Sequence, residues 1–187
     1  MNKLTARIGQ GLMLVGTLAL GYAASSWVYA EGFQAYQQWA FDQSAAASDP
    51  AAYFAPPLHS VIGRLEIPSL DLSVMVLEGA DEPDLLLGVG RVPGTALPGE
   101  EGNVALAGHR DTFFRPLREI QKNDIITLTT VQGTYRYQVE STRITAPDDV
   151  KVLKPVGGPI LTLITCYPFD YLGSAPERFV VRARKAG

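Results

Sequence analysis

Apolar and polar positions divide the chain into two unlike parts. Residues 8–30 contain no Asp, Glu, Lys or Arg and show no polar face. As a helix rising about 1.5 Å per residue, this stretch covers about 34 Å, enough to cross a hydrocarbon core of about 30 Å with some tilt. Lys3 and Arg7 precede it and Glu31 follows. The positive flank predicts residues 1–7 in the cytoplasm and the C-terminal bulk outside. Trp27, Tyr29, Phe33, Tyr36 and Trp39 gather toward the outer end, where amphipathic rings favour the interface. A cleaved signal peptide also fits the basic start and the small residues around Val28-Tyr29-Ala30, but its apolar core is usually shorter, which favours a retained single-pass anchor. Both readings put the remainder outside the cytoplasm. Residues 31–60 read as a juxtamembrane helix, stopped by Ser48-Asp49-Pro50, and then a linker over 48–60 stiffened by Pro56-Pro57, with His59 as a solvated residue at its end.

From Val61 to the C-terminus, residue 187, the period changes to two. Thr134 to Ile144 alternates, with Tyr135, Tyr137 and Val139 on one face and Arg136, Gln138 and Glu140 on the other, the pattern of a half-buried strand. Ile125–Thr130 precedes it across Val131-Gln132-Gly133, which predicts a hairpin. Val61–Ile67, Ser73–Leu77 and Val104–Ala107 are further strands, and Ile160–Thr165 reads as a strand buried on both faces. Arg178–Arg184 alternates with Phe179, Val181 and Ala183 toward the core. Helical signals are short: Asp81–Leu87, with Asp81 as cap, and Phe114–Ile120. The expectation is a mainly β domain over 61–187, closed or nearly closed as a barrel, with a few short helices.

Composition narrows the chemistry. A net charge of −3 without a basic stripe excludes nucleic acid as a natural partner. One cysteine excludes an intramolecular disulfide, and two histidines with no clustered cysteines exclude a structural zinc site. Asp148 and Asp149 are too few for a hard-cation cage and read as loop or helix-cap residues.

Three residues remain as candidates. Cys166 ends the buried strand, and Tyr167-Pro168 forces a break directly after it. A thiol there is held by the sheet yet open to a loop; its bland alternative is a small core residue. His109 follows a second strand in Val104-Ala105-Leu106-Ala107-Gly108-His109, where Gly108 allows close packing. Its pKa range suits activating a thiol or protonating a leaving amine, and a structural histidine is the alternative. Arg178 opens the last strand on the face away from Phe179 and Val181, able to hold a carbonyl or an oxyanion unless it is one more exposed strand arginine like Arg182 and Arg184. Thiolate, proton donor and positive charge are what acyl transfer through cysteine needs.

These residues and their surroundings resemble the sortase family. Residues 162–166 read TLITC, residues 106–114 read LAGHRDTFF, and Arg178 lies in APERFVV, twelve residues beyond Cys166. The stretches LAGHRDTFFRPL and TCYPFDYLGSAPERFVVRA look most like class D sortases. The resemblance implies an eight-stranded sortase-type β-barrel. It implies a cysteine transpeptidase that cleaves an LPxT-type sorting signal through a thioacyl-enzyme and passes the acyl group to an amine, in protein anchoring or pilus assembly. Cys166 would be the nucleophile, His109 the proton donor and Arg178 the oxyanion and substrate holder. Thr165 would lie beside the nucleophile and bind peptide or oxyanion. No metal or organic cofactor is implied. The implied partners are proteins with a C-terminal sorting motif, an amine acceptor such as a cell-wall peptide or pilin lysine, and the membrane through the N-terminal helix. The apolar residues of Val150–Val156 and Tyr167–Leu172 are candidates for shaping the Leu-Pro pocket. Rival readings are an L,D-transpeptidase-like or other extracytoplasmic cysteine peptidase, and a non-catalytic membrane-tethered β binding domain.

Overall fold

The computed structural model describes residues 3–44 and 56–186. The break expected at Ser48-Asp49-Pro50 and most of the linker lie outside the described residues. A single helix, α1 (Lys3–Ser44), contains the whole uncharged stretch and continues past it without interruption. None of its apolar window is buried, and the helix is long and apolar enough to cross a membrane.

The barrel follows. Its strands are β1 (Val61–Ile67), β2 (Leu72–Glu78), β3 (Val89–Arg91), β4 (Asn103–Ala107), β5 (Ile125–Thr130), β6 (Gly133–Thr145), β7 (Ile160–Tyr167) and β8 (Glu177–Lys185). They close in the order β1-β2-β3-β4-β7-β8-β6-β5. The β2–β3 and β4–β7 pairs are parallel and the others antiparallel. Closure removes open sheet edges. Alternation sends Leu65, Ile67, Val104, Leu106, Leu163 and Val181 inward, with Tyr137 and Val139 of β6 beside them in the same core.

The short elements differ from expectation. β3 was not legible, because three residues containing Gly90 offer no alternation. The helix α2 (Glu82–Leu87) forms, and Asp81 takes the position before it but makes no capping bond. Its carboxylate instead lies 3.8 Å from His59 Nδ1. The second helical stretch tightens into a 3₁₀ turn at Arg115–Glu119.

Candidate active site

The parallel pair β4–β7 and the antiparallel pair β7–β8 lay three strands side by side, and their ends carry the three candidate residues. Cys166 of β7 is the register partner of Arg178 of β8. His109 lies two residues beyond β4, whose last residue, Ala107, pairs with Ile164. The Gly108 N–H donates to the Ile164 carbonyl at 3.1 Å, which carries the β4–β7 ladder up to the histidine. A Cβ on Gly108 would lie 2.8 Å from the ring of Phe114, a fully buried side chain. Glycine is therefore required for this close approach. Cys166 and His109 are both partly buried, and Glu82 of α2 places Oε1 3.6 Å from His109 Nε2.

Thr165 points the other way. Successive strand residues face opposite sides, so Thr165 turns inward while Cys166 and Ile164 share the outer face of the barrel wall. Its hydroxyl donates to the Gly108 carbonyl at 2.7 Å. With its one proton committed there, it is not a donor to an oxyanion in this arrangement. It fixes the backbone immediately before His109.

The loops on either side are tied together. Arg110 Nη2 donates to the carbonyls of Tyr171 and Gly173, at 2.6 and 2.9 Å, joining the His109 loop to the β7–β8 loop. Arg118 pairs with Asp170 at 2.7 Å and lies over the Phe169 ring. Tyr167, Phe169 and Phe179 pack as an aromatic group at the start of that loop. Arg178 Nη1 donates to the carbonyls of Ala175 and Glu177, at 3.3 and 3.0 Å.

An apolar groove of about 150 Å³ runs along the outer face from Arg178. Its floor is Ala107, Ile164 and Val180, each two residues before or after a candidate residue on the same face. Its far wall is the β6–β7 connection, including Pro147, Val150 and Val152. Of the segments expected to shape a peptide pocket, Val150–Val156 contributes Val150, Val152 and Leu153 to the groove lining and Tyr167–Leu172 contributes none. The sequence pattern does not mark the floor as a groove, although Ala107, Ile164 and Val180 each lie two residues from a candidate. Asn103 locks the wall in place: its Nδ2 donates to the Val152 carbonyl at 2.9 Å and its Oδ1 accepts from Thr162 at 2.7 Å, all buried. Asp149 accepts from the Lys151 N–H at 3.2 Å, the helix-cap role read from sequence.

His59 is exposed, as its reading as a solvated linker residue expects, but it also has an ionisable partner. Its Nδ1 lies 2.9 Å from Asp84 Oδ1, and Asp84 is buried within α2. The Asp84 carboxylate raises the imidazole pKa, and burial raises that of Asp84. His59, Asp81 and Asp84 form the one cluster among the described residues with three groups spaced to hold a cation. The His59 ring meets Asp84 through Oδ1, while the buried Asp84 Oδ2 has no hydrogen-bond partner among the described residues, and the contact ties the start of the barrel to α2.

The closed β-barrel thus places a thiol, an imidazole and a guanidinium at three adjoining strand ends. The sequence model of the Sortase domain matches residues 65–186. Sortase D of Bacillus subtilis is 36% identical over 135 residues, covering 72% of this chain and 68% of that protein. Sortase A of Listeria monocytogenes is 33% identical over 125 residues, covering 65% of this chain and 54% of that protein. Among solved structures, a Clostridium perfringens Sortase D5 transpeptidase superposes with a TM-score of 0.70 at 23% identity, covering 84% of this chain and 98% of that one. Sortase C1 of GBS Pilus Island 1 gives 0.72 at 23% identity, over 82% and 92%. The chain belongs to the sortase family, and the class D resemblance agrees with its similarity to Sortase D.

Proposed function

We propose that the chain is a membrane-anchored cysteine transpeptidase that cleaves LPxT-type sorting signals and transfers the acyl product to an amine. The observation that carries this reading is the direct register pairing of Cys166 with Arg178, beside a His109 whose preceding residue, Gly108, is bonded through its backbone to the cysteine strand. The Leu-Pro part of the signal lies along the apolar groove. Cys166 Sγ attacks the Thr carbonyl, forming the C–S bond while the carbonyl electrons move to oxygen, where Arg178 stabilises the charge. The oxyanion collapses, the peptide C–N bond breaks, and His109 protonates the departing amine. An acceptor amine, from a wall peptide or a pilin lysine, then attacks the thioester, gives its proton to His109 and releases Cys166. Thr165 and Arg110 act through the backbone, as positioning residues for His109. α1 holds the domain on the extracytoplasmic side, with residues 1–7 in the cytoplasm.

Mass spectrometry of the chain after exposure to a library of sorting peptides tests this. The expected result is an acyl adduct on Cys166 with LPxT-type members, and no adduct or cleavage with Cys166→Ala. A fully active alanine variant, or adducts formed with peptidoglycan stem peptides and never with LPxT peptides, would overturn it.

A further inference from the structure

α1 runs unbroken from the uncharged stretch to Ser44, so the span and the stalk are one rod. The rod is fixed to the barrel near its outer end. Gln34 is buried, its Oε1 accepts from the Met75 N–H at 2.9 Å and its Nε2 donates to the Leu87 carbonyl. Phe41 is buried, and Asp42 accepts from Arg64 at 2.8 Å. Gln34 lies four residues past Ala30, about 6 Å along the axis. The headgroup layer adds about 5–8 Å to each side of the hydrocarbon core. The first point of attachment is therefore inside that layer.

Two apolar gutters open beside this part of the rod. One lies between positions 22–30 of α1 and Pro83, Leu86 and Leu87 of α2. The other lies between Trp27 and Ala30 on α1 and Leu86 and Phe113 on the barrel. Trp27 and Tyr29 are each 66% exposed and Leu86 is 57% exposed, so most of their surface is uncovered by the described residues. An uncovered apolar face of this kind marks a contact surface. One wall of each gutter is the transmembrane helix itself, so lipid is the material already in contact with it. Glu31 and Asp111 line the second gutter and Glu82 begins α2; these carboxylates limit the depth to the headgroup level.

We propose that the outer leaflet fills both gutters, so that the catalytic domain works seated on the lipid surface, with the apolar side of α2 at the boundary between headgroups and acyl chains and the 111–113 turn in the headgroup layer. This rests on the reading of residues 8–30 as a membrane span. His109 lies two residues before that turn, so the seat places the candidate active site at the lipid surface, where both acyl donor and amine acceptor must be delivered.

The test uses the full chain with Cys166→Ala as background. Leu86→Cys, Leu18→Cys and Gln43→Cys are each labelled with a polarity-sensitive fluorophore. The chains are reconstituted into phosphatidylcholine vesicles, with and without phosphatidylglycerol, containing lipids nitroxide-labelled at the headgroup or deep in the acyl chain. Gln43 lies about 20 Å along the axis beyond Ala30, clear of the headgroups. The expected result is headgroup-nitroxide quenching of the Leu86 label several-fold above that of the Gln43 label in both lipid mixtures, and deep quenching at Leu18. A Leu86 label quenched no more than Gln43, with Leu18 deep, overturns the seat and leaves the span intact. A Leu18 label without deep quenching overturns the span and the seat together. None of these readouts depends on the thiol chemistry, so failure of peptide acylation in the unmodified chain is a separate result.

Discussion

Arg178 and Cys166 face each other across β7 and β8, and the guanidinium is braced through Nη1 on the carbonyls of Ala175 and Glu177. A planar fork held in this way keeps its remaining donors aimed; a lysine at the same place keeps the charge and loses the fork. Arg178→Lys is expected to lower kcat/KM for an LPxT peptide by about 10²-fold, in line with loss of one oxyanion donor, with little change in Tm. A smaller loss than tenfold would assign the guanidinium a structural role. His59 gives a pH-dependent test. Its folded pKa is raised by Asp84, so its contribution to stability is fully present below its unfolded value of about 6.5 and is lost as pH rises through the folded value. The Tm deficit of His59→Asn relative to the unmodified chain is therefore expected near pH 5.5–6.5 and to vanish at higher pH, as a thermal-melt series across pH 5–9 would read. The deficit also narrows in acid, where Asp84, its pKa raised by burial, takes up a proton. The types of Cys166, His109 and Arg178 were legible because each ends a patterned strand. The His59–Asp84 pair was not, because 25 residues separate the partners and neither stands in a motif.

At the scale of elements, periodicity performed well where strands are long. Val61–Ile67 and Ile125–Thr130 were read with their observed bounds, and the inward faces of β6 and β8 were those assigned from alternation. It failed where tertiary contacts replace pattern. β3 exists because Glu78 of β2 meets Arg91 of β3 in parallel register and the two side chains form a buried two-point ion pair, through Nε–Oε2 at 2.6 Å and through Nη2–Oε1. Arg91→Met strands Glu78 as a buried unpaired carboxylate and is expected to cost about 3–5 kcal/mol in denaturant unfolding. The groove wall was half legible: its apolar residues were, its fastening was not. Asn103→Ala leaves the Val152 carbonyl and the Thr162 hydroxyl without their partner. The wall then loosens while the thiol and imidazole stay in place. Steady-state kinetics with an LPxT peptide are expected to show KM raised several-fold with a smaller change in kcat. The reverse split would mean that the wall shapes the reacting centre rather than the peptide seat.

For the whole molecule, the question is whether anchor and enzyme are one body or two bodies on a string. The sequence separates them by composition, and nothing in the hydropathy of residues 31–44 says that they dock. The reason they do lies in the barrel. β3 covers only Val76 to Glu78 of β2, so the Met75 N–H has no partner in β3. Gln34 supplies the acceptor and at the same time takes the Leu87 carbonyl at the end of α2. Gly88 makes room for this, since a Cβ there would lie 2.6 Å from the Met75 carbonyl and 3.1 Å from Gln34 Nε2. A short strand, a glycine and one stalk glutamine thus join α1, β2 and α2 where the stalk meets the barrel. Gln34→Leu keeps the size and helix propensity of the side chain and removes both bonds, leaving buried backbone groups unpaired at about 1–3 kcal/mol. In the full chain held in a lipid bilayer, hydrogen exchange at the Met75 amide is expected to accelerate by roughly tenfold or more, while amides deep in β7 keep their protection. Unchanged exchange at Met75 would mean that Gln34 does not cap β2 and that the stalk is held by Phe41 and the Asp42–Arg64 pair alone.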